Sequence, residues 1–311
     1  MQAVTIDGGG APGCGALAVH QVGGESRVTQ ARAHSPLHLL TPRVAGVDGR
    51  AAWVFVATFG GGLLPGDRLA LDVNVGAGAT ALVGTQAQTK VFRAGAAGGA
   101  AQRVRAEVAP GGLLVWLPDP VACFADARWE QTLELHLGDA GSAVLVEGVT
   151  AGRSARGERW AFARVAMRTR VWAPGLVLDD GLELDAAHGA LPARLGRMGA
   201  LATVTAFGPR AAPVAEALRA AGRAPLGPRG SDIVVAVSEV GGGGGAAGGG
   251  RAAGGAAAGG AAAGGAAAGG AAAGVVARIA GAAVEPVLRT VRELLAGVAA
   301  LVGDDPFARK W

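Results

Sequence analysis

The sequence contains no tyrosine, only two cysteines and few lysines, and these shortages exclude several classes of protein. Cys14 and Cys123 lie far apart in the chain, so they do not form the disulfide framework of a small secreted domain. Free thiols of this kind indicate a reducing, cytoplasmic location. No run of five basic residues occurs and aromatic residues make up only 4% of the chain, which argues against nucleic-acid binding.

Long apolar segments and targeting signals are also missing. The N-terminal residues MQAVTIDGGG lack the basic and apolar regions of a secretory signal. No apolar span of about 18 residues has membrane character, so no membrane partner is expected. Residues 241–274 contain only Gly, Ala and one Arg. We predict a disordered insertion here, whose ends would lie about 30 Å apart as a flexible coil.

Short strand patterns separated by Gly and Pro turns dominate the rest of the chain. In RLALDVNV, residues Leu69, Leu71, Val73 and Val75 alternate with more polar ones, which is the period of a half-buried strand. The chain then turns at GAGA and returns in TALVGTQ, and a second strand pair turns at residues 110–112. The segment SAVLVEGVTAG is apolar on both faces, as expected of a buried strand. We therefore predict a mostly β fold, with stacked or solenoid-like sheets of antiparallel or mixed strands and a few C-terminal helices.

Helical periodicity is rarer and lies toward the C-terminal end. Residues 211–223 fit a short helix. After Pro286, which suits a first helical turn, apolar residues follow the spacing of an amphipathic helix, namely Val287, Leu288, Val291, Leu294, Leu295, Val298 and Leu301. These patterns divide the chain into a poorly defined N-terminal segment (1–30), a β-rich scaffold domain (31–240), the insertion (241–274) and a C-terminal helical segment that packs on the β domain (275–311).

The segment FGGGLLPGDRL places Gly60, Gly61, Gly62 and Gly66 directly before a predicted strand. A phosphate-binding loop needs a Lys-Ser/Thr pair that opens a helix, whereas Asp67 and a strand follow here. A dinucleotide-binding fingerprint fails for the same reason. The glycines are therefore interpreted as turn residues, because glycine adopts positive φ without strain.

A polar group follows the next strand in GTQAQTKVFR, where Thr85, Gln86, Gln88, Thr89 and Lys90 occur close together. An ordinary exposed strand end would explain this composition. The sharper hypotheses are a surface that faces a partner and an internally hydrogen-bonded cluster. The sequence leaves these alternatives open, including for Lys90.

Two carboxylates have unusual surroundings. Asp119 lies between Pro118 and Pro120, which fix an extended turn. Glu147 lies inside the apolar segment AVLVEGV, and a buried carboxylate must be paired, protonated or bound to a cation. A salt bridge with one of the many arginines is the simpler interpretation of Glu147.

The histidines and cysteines are weaker candidates. His34 and His38 have the spacing of zinc-binding helices, but Pro36 between them makes the segment extended. No second Cys/His pair lies nearby, so a closed tetrahedral metal site has no support. Cys123 is interpreted as a buried structural thiol, since no local signature supplies the base and the orienting acid of a catalytic site.

Several segments together resemble one known family. FGGGLLPGDRL, TQAQTKVFR, LPDPVACFADA, RGERWAF and GRMGALATV, in this order, resemble the urease accessory protein family UreD, which is called UreH in some bacteria. ARIAGAAVEPVLRTVRELLAGV and DDPFARKW resemble the end of that family. The Pro-Asp-Pro and Cys-Phe features are similar to plant and algal members. Phe92 stands where the family usually has tyrosine, and the Gly/Ala tract is foreign to the pattern.

The resemblance implies a mostly β scaffold that is not an enzyme. The family assembles with UreF, which recruits the GTPase UreG, and the complex docks on apo-urease and helps deliver nickel. No tightly bound cofactor is implied, since nickel(II) passes transiently and GTP belongs to UreG. An internal path with weak oxygen ligands would suit nickel in transit, because thiolate or imidazole would trap it. On this basis Asp67, Asp119 and Glu147 are the expected path residues.

Two other classes of function stay open. The first is a generic protein-interaction scaffold without a metal path. The second is a β-fold enzyme that uses Cys123 or a carboxylate pair such as Asp67 and Glu147. Turnover by the isolated protein would support the enzyme, and a metal-transfer assay with docking intact would separate the scaffold from the metal path.

Overall fold

The computed structural model describes residues 10–42, 49–224, 231–241 and 274–308. The strands in these ranges are β1 (Cys14–Val22), β2 (Glu25–Ala33), β3 (Leu37–Leu40), β4 (Ala52–Thr58), β5 (Arg68–Val75), β6 (Thr80–Thr85), β7 (Lys90–Val91), β8 (Ala100–Val108), β9 (Leu113–Leu117), β10 (Val121–Cys123), β11 (Arg128–Leu137), β12 (Ser142–Thr150), β13 (Arg164–Trp172), β14 (Leu176–Asp185), β15 (Ala200–Phe207), β16 (Ile233–Val240) and β17 (Gly274–Gly281). The α-helices are α1 (Leu191–Leu195), α2 (Ala212–Arg223), α3 (Val284–Leu294) and α4 (Val298–Val302).

The strands form two stacked sheets of mixed direction. Sheet A has the order β14-β13-β11-β8-β5-β1-β2, and sheet B has the order β16-β17-β15-β12-β9-β6-β4-β3, with β10 beside β12 and β7 beside β10. From β5 to β12 the chain passes repeatedly between the two sheets, and the short strands β7 and β10 extend its visits to sheet B. Neighbouring strands in the middle of each sheet are therefore parallel, as in a solenoid, and the predicted fold class is confirmed.

The two predicted strand–turn–strand pairs correspond to changes of sheet. β5 lies in sheet A and β6 in sheet B, and β8 and β9 are separated in the same way. The strands on either side of each turn therefore do not pair with each other. The burial of β6 gives the physical reason, since all six of its residues are buried and such a strand belongs in a sheet that is covered on both faces.

Sheet B is covered on both faces, whereas sheet A has one face in solvent. Leu71 and Val104 of sheet A pack against Leu114 and Leu145 of sheet B in the layer between the sheets. On the far side of sheet B, helices α2, α3 and α4 cover a second apolar layer, with Val115, Val144, Val204, Val214, Leu218 and Val291 among its members. Each fully buried Val or Leu contributes about 1.5–3 kcal/mol relative to an exposed one.

The helical predictions are confirmed in part. Helix α2 spans the predicted residues, but the C-terminal stripe is divided between α3 and α4, and Leu288 is only half-buried. Residues 275–281, expected to open the helical segment, belong to β17, which lies between β16 and β15 in sheet B, because VVARIA buries residues on both faces. Among the described helices, none combines the length and the apolar character needed to span a membrane.

Both ends of the Gly/Ala tract belong to sheet B. Residues 242–273, for which disorder is predicted, lie outside the described residues. Val240 and Gly274 are direct partners in the antiparallel pair β16–β17, so the tract connects two neighbouring strands. Its ends therefore lie at the separation of paired strands, about 5 Å, and the expected separation of about 30 Å is wrong. At the N-terminal end, β1 and most of β2 lie within residues 1–30, whose sequence pattern predicts no defined structure.

Candidate functional site

The glycine loop after β4 is a turn, as predicted. Gly60, Gly61 and Gly66 have φ values of 82°, 71° and 89°, a region that side chains with a Cβ atom avoid. Gly62 is required for a different reason. A Cβ atom at this position would lie 2.9 Å from the carbonyl oxygen of Lys90, which is closer than such atoms approach.

This loop is joined to the polar segment that follows β6. The Leu63 amide donates to the Lys90 carbonyl (2.8 Å), and the Phe92 amide donates to the Leu63 carbonyl (3.0 Å). Between the loop and the segment lies a pocket of about 350 Å³, which we call the loop pocket. Its lining includes Gly61, Gly62, Thr85, Gln86, Gln88, Thr89, Lys90 and Gln102. The structure therefore brings the two predicted motifs together around one opening.

Asp119 lies beside the loop pocket. The Thr85 hydroxyl donates to a carboxylate oxygen of Asp119 (3.0 Å), and the same hydroxyl accepts from the Asp119 amide (2.8 Å). Because Thr85 lines the pocket, these two bonds hold the half-buried carboxylate at the end of β9. Asp119 is therefore joined to the polar lining of the loop pocket through Thr85.

Asp67 has a different position from the one expected. Its carboxylate accepts a hydrogen bond from the Leu64 amide (2.7 Å), and its own amide donates to the Leu64 carbonyl (3.1 Å). Leu64 is exposed, so the Asp67 carboxylate closes an outer turn. The structure does not place this side chain between the sheets with Glu147.

Glu147 lies on β12 and directs its carboxylate into the layer between the sheets. The Gln131 amide donates to one carboxylate oxygen (2.6 Å), and the Thr169 hydroxyl donates to the other. The residue borders a small opening and is half-buried as a whole, but its carboxylate is surrounded by protein. Burial raises the pKa of Glu147, with a smaller rise from nearby Asp180, while the Thr169 and Gln131 hydrogen bonds oppose the rise.

The simpler interpretation of Glu147, a salt bridge with arginine, is not what the structure shows. Within the described residues, its oxygens are held by an amide and a hydroxyl, and no basic group lies within 4.0 Å of them. Hydrogen bonds satisfy the carboxylate but leave its charge uncompensated. A cation that reached this position would stabilise the ionised form.

A second opening connects Glu147 with the opposite edge of the sheets. It is lined by Glu147, Met167, Thr169, Asp180 and Thr203, among others, and we call it the edge pocket. Asp180 forms an ion pair with Arg278 (2.5 Å). Sequence reasoning missed Asp180, and only the strand register, which pairs it with Thr169, could have indicated its role.

The two pockets are linked by polar side chains that share the space between the sheets. Gln102, which lines the loop pocket, is the register partner of Gln131, and Glu147 is the register partner of Thr203. Partners at one register point to the same face of a sheet. Gln102, Gln131, Glu147, Thr169 and Thr203 therefore form what we call the polar layer, which runs from the loop pocket to the edge pocket.

The remaining sequence candidates do not assemble into a reactive site. Burial raises the pKa of the Cys123 thiol to about 12, so this group stays protonated and is a poor nucleophile near neutral pH. The His38 ring packs edge-on against Phe59, with ring centroids 3.9 Å apart. Across the described ranges, no three His, Cys, Asp or Glu side chains come together in a way that could hold a metal ion.

Comparison with known proteins assigns the family. The model of the UreD urease accessory protein family matches residues 11–311. Urease accessory protein UreD of Sorangium cellulosum (strain So ce56) is 47% identical over 303 residues, which cover 97% of this chain and 85% of that protein. The protein of the same name from Anaeromyxobacter sp. (strain Fw109-5) is 38% identical over 96% of this chain and 89% of its own length. Urease accessory protein D of the plant Oryza sativa subsp. indica is 33% identical over 68% of this chain and 70% of its own length. The chain therefore belongs to the UreD family of urease accessory proteins.

Proposed function

We propose that this protein is a non-enzymatic scaffold that passes nickel(II) through its interior during urease maturation. Membership in the family supports a role in urease maturation together with other maturation components. In the proposed mechanism, UreF-type and UreG-type proteins bind the scaffold, and the complex docks on apo-urease. The nickel ion is cargo, and GTP is used by the UreG-type partner.

The observation that carries this proposal is the uncompensated carboxylate of Glu147 within the polar layer. Nickel(II) in transit needs ligands that bind weakly enough to release it, and oxygen donors meet this need better than thiolate or imidazole. The Glu147 carboxylate, the Thr169 hydroxyl and the side-chain oxygen of Gln131 are such donors. Asp119 and Thr85 would serve the same purpose beside the loop pocket.

The geometry gives little support to the two rival functions, a β-fold enzyme and a scaffold without a metal path. The enzyme hypothesis relied on Cys123 or on the pair Asp67 and Glu147. The Cys123 thiol is buried in the core, and the Asp67 carboxylate closes an outer turn. A scaffold without a metal path would not need an ionisable side chain between the sheets, where hydrophobic packing is usually at least as stabilising.

Replacement of Glu147 by glutamine is the sharpest test. Urease, its accessory proteins and this chain are co-expressed, and the assembly of the complex and the nickel content of urease are measured on the same samples. Glu147→Gln keeps the shape and most hydrogen bonds but removes the charge, so we expect normal assembly and reduced nickel content. The matched control is Glu130→Gln, on the solvent face of β11, which should leave both quantities unchanged.

Each outcome separates the hypotheses. Normal nickel content in Glu147→Gln removes this residue from the mechanism. Loss of assembly shows that Glu147 acts in folding, since disrupting a buried polar group costs about 1–3 kcal/mol. A scaffold without a metal path predicts that nickel content follows assembly in every variant.

A further inference from the structure

Two large apolar side chains project into solvent from the glycine loop. Phe59 is 59% exposed and Leu64 is 58% exposed, although 50% of the chain is hydrophobic and its core buries most large apolar residues. The two residues flank the glycines that line the loop pocket. Apolar side chains that are exposed together on one surface are candidates for a contact with another protein.

The loop fixes the backbone at both residues and, in addition, the Phe59 ring. The Phe59 amide donates to the Pro36 carbonyl (3.0 Å), and the His38 ring packs against the Phe59 ring. On the other side of the glycines, the Asp67 carboxylate fixes the Leu64 amide. A surface that is already ordered loses little conformational entropy on binding, so a turn of this kind is well suited to a specific contact.

Basic side chains border the same loop. Within the described residues, the exposed Lys90 has no carboxylate within 4.0 Å. The Arg68 guanidinium donates to the carbonyls of Asp67 (3.0 Å) and Gly99 (2.7 Å), which satisfies its hydrogen bonds without cancelling its charge. Arg93, by contrast, is paired with Asp126 (3.0 Å). With the Asp67 carboxylate counted against Lys90 and Arg68, the rim of the loop carries one net positive charge.

We propose that Phe59, Leu64, Lys90 and Arg68 form a docking face for a partner protein that presents an apolar socket bordered by carboxylates. Apolar contacts at the centre would supply most of the affinity, and the basic rim would favour an acidic partner and accelerate association. The loop pocket opens beside this face, so a docked partner would cover it. This last consequence rests on the proposed function, because the covered pocket would then be where nickel enters from the partner.

The test uses the co-expressed complex with a tag on this chain. Binding to the UreF-type protein, to the UreG-type protein and to apo-urease is measured separately for Phe59→Ser/Leu64→Ser. We expect at least one of these affinities to fall by about tenfold or more, which corresponds to about 1.4 kcal/mol and is typical of the loss of central interface residues. The control is Leu176→Ser, which removes a leucine that is 54% exposed on β14 and should leave every affinity unchanged.

A second variant tests the rim without altering the apolar loop. Lys90→Glu should slow association with the same partner, and the difference from wild type should shrink at high salt, because salt screens charges on the surface. Thermal unfolding of each variant shows whether the fold is intact. A rim variant with unchanged association at low salt contradicts the basic part of the docking face.

The proposal is overturned if the double variant binds all three proteins normally, or if Leu176→Ser weakens binding equally. It is also overturned if size-exclusion chromatography shows that the double variant loses only self-association, since the occupant would then be a second copy. Failure of the nickel path is a separate result. Normal nickel content in Glu147→Gln, with weakened binding in the loop variant, would reject the path and keep the docking face.

Discussion

The two faces of sheet A differ in how the charged side chains beside them are paired. On the solvent face, a row of register partners alternates in sign across five strands, namely Asp72, Arg105, Glu134, Arg170 and Asp179. On the inner face, Gln131 and Thr169 hold the Glu147 carboxylate of sheet B with no cation beside it. Each charge in the outer row has a neighbour of opposite sign, whereas the Glu147 carboxylate is held only by neutral hydrogen-bond donors.

The largest difference between the two faces should appear in the free energy of unfolding when neighbouring residues on opposite faces of β11 are replaced by alanine. Leu133 is fully buried between the sheets, so Leu133→Ala should lower the free energy of unfolding by about 2–5 kcal/mol. Thr132 faces solvent, and Thr132→Ala should change it by less than about 0.5 kcal/mol. Chemical denaturation measures both, and equal effects would mean that β11 is not covered as described.

A smaller effect should appear in the pH dependence of folding stability, through the ionisation of Glu147. Because its pKa is raised in the folded state, the folded protein keeps a proton that the unfolded chain releases above its ordinary value of 4.5. The stability that this carboxyl group contributes to the wild-type protein is therefore present at low pH. It is lost as the pH rises through the pKa of the group in the folded state. Glu147→Gln should gain stability relative to wild type over this range and then level off, as unfolding curves at several pH values would show. A constant difference would contradict the buried position.

Removal of a charge from the outer row should change stability in the opposite direction to Glu147→Gln, and by the smallest amount of the three. Hydrogen bonding to Arg168 holds the pKa of Asp179 below its ordinary value of 3.8, so its contribution is present above that value and lost as pH falls through the folded pKa. Asp179→Asn should therefore lose stability relative to wild type near neutral pH, by less than about 1 kcal/mol for an ion pair at the surface. The loss should shrink in high salt, and a salt-independent loss would indicate a role beyond charge pairing.

Much of the fold follows from local patterns, but the assignment of strands to sheets does not. Alternation predicts β5, and the two-sided apolar pattern predicts the buried β12. A turn sequence looks the same whether the chain forms a hairpin or passes to the other sheet, so the solenoid-like path depends on long-range pairing. The C-terminal apolar stripe likewise predicts helix but not its division into α3 and α4.

The site shows the same division. Glu147 could be identified from sequence because a carboxylate in an apolar strand must be paired, protonated or bound to a cation. Asp180 could not, since it lies in the mixed segment LVLDDGLEL and its role comes from register with Thr169. The position of Asp67 after the glycine turn predicts that its side chain faces the interior of the protein. Sequence position alone does not show that the carboxylate instead closes the turn by accepting from the Leu64 amide.

The pairing of Val240 with Gly274 has a practical consequence for protein engineering. Both residues are held by sheet B, so the length of the chain between them is independent of where either strand lies. A fluorescent protein or an affinity tag whose own termini are close together could replace the Gly/Ala tract. Such an internal label would leave both chain termini and the glycine loop unaltered, and it would report on assembly in living cells.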